Sequence, residues 1–387
     1  MRILMLNNEF PPLGGGTGSV NLALMAEFAR SQRVQCDLIT SSGSRKYEQE
    51  QFGDGVHVFR LPIPRSSIHH ASNVELLRYA IRSYMFASKL LKQQSYDLLF
   101  GWSSLPSGAV VCGLSRAFHI PYVVRISGPE VPGFEARYTH TVRLLLPLLR
   151  QVWKRASKVI YKSEYEQSAL VKVGVRENLL HIPNGVTVSA ASEKQNYELH
   201  TPIRLVCVSR VVARKNHELL VRGIHALQER GVYCELHIIG DGDAILHLQE
   251  LAATLQIQER IRFHGYVARE QIPGLVRECD LFVLASHQDA MSVAVLEAVG
   301  MKIPTILSRA VGMNAILHDR ISTLYFAPDS LREFTEQVCF ALKSAQFRRD
   351  VAENAHQALA RYSWDVIADR YVNSFKEILQ DEFLDGQ

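Results

Sequence analysis

Asp289 and Glu297 stand eight residues apart in the run Ser286-His287-Gln288-Asp289-Ala290-Met291-Ser292-Val293-Ala294-Val295-Leu296-Glu297-Ala298. The segment before it, 280–286, is a short apolar run with the composition of a buried parallel strand, and 292–298 has helical character. The two carboxylates therefore span a strand-loop-helix transition that delivers a helix N-terminus. Backbone N–H groups there, with the positive end of the macrodipole, favour an anion, most naturally a phosphate. Asp289 precedes the turn, and Glu297 lies more than one turn into the helix. Acids at this spacing also arise by chance, and the plain alternative for Glu297 is a solvated helix residue.

Three further clusters follow strand-like runs. Ser209-Arg210-Val211-Val212-Ala213-Arg214-Lys215-Asn216 comes after the apolar run 203–208, so its cations emerge at the carboxyl end of a parallel sheet, where ligands of such folds bind. The glycine-rich stretch 11–19 lies between the first strand and the first helix, and glycines there permit close backbone approach to a ligand. It is not a dinucleotide fingerprint, because that motif opens the helix directly after the strand. Here residues 8–13 intervene and Ser19 stands at the third glycine position, which disfavours a dehydrogenase. The third cluster, 125–134, follows the apolar Tyr122-Val123-Val124 and carries Ser127, Gly128 and Glu130.

In this order the clusters resemble the retaining glycosyltransferases of family 4, whose E-x7-E motif is matched with Asp289 in place of the first Glu and Glu297 as the second. The resemblance implies an α/β GT-B fold, in which two doubly wound Rossmann-like domains face each other across a cleft. It implies that Glu297 binds the donor ribose and Asp289 the hydroxyls of the transferred sugar; a carboxylate accepting from two vicinal hydroxyls is a specific, bidentate contact. Arg210 and Lys215 match the family's diphosphate-binding pair, and fixed cations stabilise the charge of a departing diphosphate most in the transition state. The amides of Met291, Ser292 and Val293 would hold the phosphates, Gly240 would lie near the nucleobase or diphosphate, and Gly15 and Gly16 would contact donor or acceptor. Ser127 stands where many members have a His, which puts an imidazole role in doubt. With Gly128 it would flank the acceptor, and Glu130 becomes the nearest group able to orient an acceptor hydroxyl or take its proton. Ile182-Pro183-Asn184-Gly185-Val186 resembles the family's hinge, with a tight Asn-Gly turn at positive φ expected.

The expected reaction is retaining transfer from a nucleotide-diphosphate sugar, a co-substrate, to a glycan or lipid-linked acceptor, as in bacterial cell-surface polysaccharide synthesis. No metal is expected, because in this reading protein groups neutralise the charge of the departing diphosphate. Two alternatives stay open: a nucleotide-sugar binding protein without catalysis, and a nucleotide-sugar epimerase.

The elements that must position these residues are written as alternating strand-like and helix-like segments, in two series that begin near 2 and 203. With 387 residues and 47% apolar composition, two cores are expected. The domains are read as 1–187, 188–363 and a last helix 364–387 opened by Ser363, which in the resembled family crosses back onto the first domain. The polar stretch 189–198 reads as a linker. The first helix is expected over about Ser19 to Arg30. No uncharged apolar run is long enough to span a membrane. Six scattered cysteines without metal-type spacing suit a reducing cytoplasm. Residues 1–200 hold 23 Lys and Arg against 15 Asp and Glu, while the remainder holds 20 against 24, so the basic half suits an acidic surface or substrate. No nucleic-acid partner is expected. Segment 141–155, apolar with basic residues and a Trp, reads either as an amphipathic core helix or as a peripheral contact with the inner membrane surface.

Overall fold

The computed structural model describes residues 1–67, 71–135, 138–187 and 193–385, with side chains as far as 381. Residues 188–192, which include the first part of the expected linker, lie outside the described residues. The chain divides into two compact units, 1–185 with 364–387, and 186–363.

In the first unit, β1 (Arg2–Leu6), β2 (Gln35–Gly43), β3 (Glu48–Gly53), β4 (Val56–Pro64), β5 (Leu98–Trp102), β6 (Tyr122–Arg125), β7 (Lys158–Tyr161) and β8 (Leu179–His181) form one sheet. Its order is β3-β4-β2-β1-β5-β6-β7-β8, parallel except for the antiparallel β3–β4 hairpin. Ile3, Leu4, Met5 and Leu6 are all fully buried, as in a strand covered on both faces. The helices are α1 (Gly16–Ser31), α2 (Asn73–Gln93), α3 (Ala109–Phe118), α4 (Thr139–Arg155) and α5 (Glu164–Lys172). Helix α1 starts three residues before the expected Ser19, with Gly15 at its N-cap, so the glycine-rich segment forms the helix terminus itself. Ser72 and Glu75 close a capping box at the start of α2.

In the second unit, β9 (Ile203–Val208), β10 (Cys234–Ile239), β11 (Ile261–Gly265), β12 (Leu281–Leu284), β13 (Thr305–Ser308) and β14 (Leu324–Phe326) lie parallel in the order β11-β10-β9-β12-β13-β14. Helices α6 (His217–Glu229), α7 (Ile245–Thr254), α8 (Ile272–Arg277), α9 (Val293–Gly300), α10 (Leu331–Leu342) and α11 (Ala345–Ala358) connect and follow them. The chain enters at the centre, builds outward to β11, then crosses back to β12, which is the doubly wound order. Leu205, Val206, Leu236, Phe282, Leu284 and Ile306 at 0% exposure form the heart of its core.

Helix α12 (Trp364–Asp385) belongs to the first unit. There the buried Arg125 donates to the Tyr371 hydroxyl at 2.7 Å and to Asn184 Oδ1 at 2.6 Å, with its guanidinium 5.1 Å from the Trp102 ring centre. Gly185 is not at positive φ as the Asn-Gly pair suggested. A Cβ there would stand 2.4 Å from the Trp364 ring, so glycine is required by packing. Among the described residues no helix is long and apolar enough to cross a membrane.

Candidate functional site

The strand order of the second unit reverses between β9 and β12, and the loops that leave their carboxyl ends diverge to either side. Polar contacts bridge the two loops. The His287 amide donates to the Arg214 carbonyl at 3.0 Å, Arg214 Nη1 donates to the Gln288 carbonyl at 2.5 Å, and the Lys215 ammonium pairs with the Asp289 carboxylate. Lys215 keeps 10% of its side-chain surface and Asp289 14%, so the pair is largely out of water. Asp289 is further anchored by the Ala290 amide, 3.1 Å from Oδ1, and by its own amide on the Ala310 carbonyl at 2.9 Å. Two residues assigned separately from sequence are thus one ion pair. Arg210 is half-buried on the same loop, and among the described residues no carboxylate pairs with its guanidinium.

His217, at the start of α6, is a residue that the motif reading passed over. It is buried, its Nε2 lies 3.1 Å from Ser209 Oγ, and it fixes the residue before Arg210. Burial, assisted by the Lys215 charge, lowers its pKa to about 4, so the ring is neutral at pH 7. The spacing of the His carried no signal, because a helix-opening His reads as an ordinary exposed residue.

Helix α9 begins at Val293, with Ser292 as N-cap accepting from the Val295 amide at 3.4 Å. The amides of Val293 and Ala294 open the helix and have no acceptor within it. Met291 and Ser292 are buried. Glu297, half-buried one turn further, accepts from Arg269 Nη2 at 2.9 Å. Burial raises its carboxyl above the usual range, with the Arg269 charge opposing. Arg269, between β11 and α8, is the second residue the sequence did not disclose. Gly240 sits at φ +141, and a Cβ on it would stand 2.0 Å from the Ser209 carbonyl oxygen. Gly242 meets the Val211 oxygen at the same distance. Both glycines therefore let the β10 loop lie directly under the Arg210 loop, a packing reason that stands without a ligand.

In the first unit, Gly14 needs its positive φ of +94, whereas a Cβ on Gly15 would meet nothing within 4 Å. Gly15, the N-cap, thus has room on the backbone, and Gly16 is the first residue of α1. Ser127 and Gly128 leave the end of β6. The Ser127 hydroxyl is buried without a hydrogen-bond partner, and Gly128, at φ +118, would press a Cβ to 3.0 Å from the Phe134 ring. Glu130 Oε1 accepts from the amides of Ser127 at 2.9 Å and Ser104 at 3.1 Å and from the Ser104 hydroxyl at 3.3 Å. That oxygen ties the β5 and β6 loops together, a turn-stabilising role.

Two family profiles match the chain: "Glycosyl transferase 4-like domain" over residues 15–185 and "Glycosyl transferases group 1" over 189–358. The GDP-mannose-dependent alpha-(1-6)-phosphatidylinositol monomannoside mannosyltransferase of Mycolicibacterium smegmatis is 23% identical over 326 residues, 80% of this chain and 81% of that one. Sucrose-phosphate synthase from Thermosynechococcus elongatus superposes with a TM-score of 0.84 at 16% identity, over 98% of this chain and 100% of that one. Anabaena HepE, solved in complex with UDP and glucose, gives 0.73 at 17% identity, over 97% and 100%. At these identities the likeness to the solved structures is one of fold.

Proposed function

We propose, from the premise that this chain belongs to the family 4 glycosyltransferases of the GT-B fold, that it transfers a sugar with retention from a nucleoside-diphosphate sugar to a glycan or lipid-linked acceptor. The observation that carries the reading is the switch point of the second unit. A half-buried arginine that no carboxylate among the described residues pairs with, a lysine held by one short carboxylate and the opening amides of α9 lie on adjoining loops. Such a group of donors suits a diphosphate. Glu297 takes the ribose hydroxyls.

As the bond from the sugar to the diphosphate breaks, negative charge grows on the leaving oxygen, and Arg210, Lys215 and the helix terminus stabilise it most at that moment. Attack by the acceptor hydroxyl from the same face sets its proton beside that leaving oxygen, which can take it. Charge neutralisation by protein groups makes the reaction independent of a divalent ion. The reading places the enzyme in cell-surface polysaccharide synthesis.

Thermal stability against uridine, guanosine, adenosine and thymidine diphosphates tests it. Ligand at 100 times its dissociation constant adds about 2.7 kcal/mol. A shift for one base, lost in Arg210→Ala, is expected. No shift with any base in folded protein refutes the donor site. With the donor known, the anomeric configuration of the product tests retention, and full activity in chelator tests metal independence.

A further inference from the structure

Glu297 projects from the side of α9 with 34% of its side chain exposed. Among the described residues one hydrogen-bond donor reaches its carboxylate, Arg269 Nη2, which lies 2.9 Å from Oε1. Oε2 accepts from none of them. The direction of this carboxylate is therefore set by a single side chain.

That side chain comes from the other half of the sheet. Arg269 follows β11, an edge strand, whereas α9 follows β12, and β10 and β9 lie between the two. The connection that carries Arg269 is tied down twice. The Gly240 amide donates to the Gly265 carbonyl at 2.9 Å where β11 stops, and the Gln271 amide donates to the Ala268 carbonyl at 2.9 Å, closing a turn around Arg269. A long side chain on a fixed turn thus ends on one oxygen of one acid. Folding stability does not account for the pair, because ion pairs as exposed as this one, 46% and 34%, add little to it.

What the pair changes is the state of the acid. Burial raises the Glu297 carboxyl above the usual range, and the Arg269 charge opposes that rise. The other charged groups on elements packed against α9 are engaged elsewhere. On α11, Arg348 and Arg349 hold Tyr197, Asp350 accepts from Gln346, Glu353 pairs with Lys302, and His356 lies toward Glu193. Arg361, in the turn after α11, is exposed, as is Glu270 beside Arg269. Arg269 is the cation left to hold Glu297 in its ionised form.

We propose that Arg269 is a positioning residue of the donor site, which turns the Glu297 carboxylate so that Oε2 faces the ribose and keeps it the anion to which ribose hydroxyls donate. The inference rests on the donor-site reading of Glu297 given above. An ionised carboxylate only accepts, whereas a protonated one presents a hydrogen where an acceptor is required. Arg269 thus acts on the ligand through Glu297 and not by touching it.

The test is titration calorimetry on the full chain with two probes: the nucleoside diphosphate that the panel of four bases selects, and inorganic pyrophosphate, which has no ribose. Arg269→Met should weaken nucleoside-diphosphate binding about three-fold to tenfold at about pH 7.5, the range of one lost hydrogen bond, and leave pyrophosphate binding unchanged. Its loss of affinity on acidification should begin at higher pH than in the parent, and Arg269→Lys, which keeps the charge, should restore the parent profile. In a Glu297→Gln background Arg269→Met should change nothing further. Melting temperatures without ligand should match the parent, since the pair is exposed. Tighter binding by Arg269→Met overturns the proposal, because the arginine would then be blocking the ribose. A loss that persists in Glu297→Gln, or that extends to pyrophosphate, also overturns it, because Arg269 would then be a ligand contact itself. So does unchanged affinity or an unmoved pH profile. Parent protein that binds pyrophosphate and no nucleoside diphosphate refutes the ribose role of Glu297 and this inference with it, and binding of neither probe refutes the donor site as a whole.

Discussion

Replacing Lys215 by methionine keeps much of its stem and removes the ammonium that faces Asp289 across the two switch-point loops. Unit charges about 4 Å apart attract by roughly 4 kcal/mol at an effective dielectric near 20, and breaking a buried pair by removing one partner costs about 3–5 kcal/mol. The two side chains retain 10% and 14% of their surface, and the Ala290 amide still donates to the carboxylate, so the lower part of that range applies. Lys215→Met should destabilise the second unit by about 2–3 kcal/mol, Asp289→Asn by a similar amount, and the double substitution by little more than either, a coupling near 2 kcal/mol. Urea unfolding can resolve this because Trp102, Trp153 and Trp364, the three tryptophans, all belong to the first unit. Far-UV circular dichroism should show the loss while tryptophan emission holds its midpoint. Nucleoside-diphosphate affinity adds a second axis: it should fall about 10-fold to 100-fold in Lys215→Met and rise in Asp289→Asn, which frees the cation. Additive stabilities, with coupling below about 0.5 kcal/mol, would mean that water solvates the two side chains separately and that the pair does not pre-assemble the site.

Glu297 titrates above the ordinary carboxyl range because of burial, so its protonation begins at higher pH than for an exposed Glu and, on the proposed function, removes an acceptor from the ribose. Nucleoside-diphosphate affinity should weaken as pH falls, starting at a higher pH than an exposed carboxyl would set, and titration calorimetry of Glu297→Gln should show weaker binding without that carboxyl's share of the pH dependence. His217, with a folded pKa of about 4 against 6.5 unfolded, leaves the unfolded chain binding more protons between those values. Stability is therefore full above pH 6.5 and lost as pH falls toward 4, by about 2–3 kcal/mol at pH 4.5, and His217→Gln should flatten that part of the stability profile. Arg125→Met removes the donors to Tyr371 and Asn184 and should cost the first unit about 2–4 kcal/mol, with tryptophan emission unfolding at lower urea.

What was legible in the sequence is what local pattern carries. The apolar runs near 203, 235, 261, 281 and 305 became β9 to β13 with small shifts at their ends, and the start of α9 followed from Ser292. Pairings across the fold carry no local mark. Lys215 and Asp289 are 74 residues apart, and the strand order that puts β9 beside β12 is what brings their loops together. Arg269 and His217 are silent for the same reason. Gly185 shows how a glycine can be expected for one cause and needed for another, since the packing of Trp364 demands it and the backbone angle does not. In α2 the periodicity misleads outright. Its covered face includes Ser83 and the capping Glu75, while the more apolar stripe points outward.

Asp289 is where the sequence departs most from the E-x7-E pattern, and the geometry gives the departure a physical meaning. A glutamate would extend about one methylene further from the backbone. The shorter side chain is held back by the Ala290 amide and by Lys215, so its carboxylate is already engaged by two donors. Lys215 is fixed before any ligand arrives, and its desolvation is compensated in advance by the carboxylate. A diphosphate that binds there meets a cation already oriented, which reduces the ordering cost of binding. Among the described residues no such acid pairs with Arg210, and it is the group whose electrostatic demand a diphosphate would meet. On the proposed function, a division of labour follows from those two environments: Lys215 would orient the leaving group from a set position, and Arg210 would supply the charge that grows in value as the bond breaks.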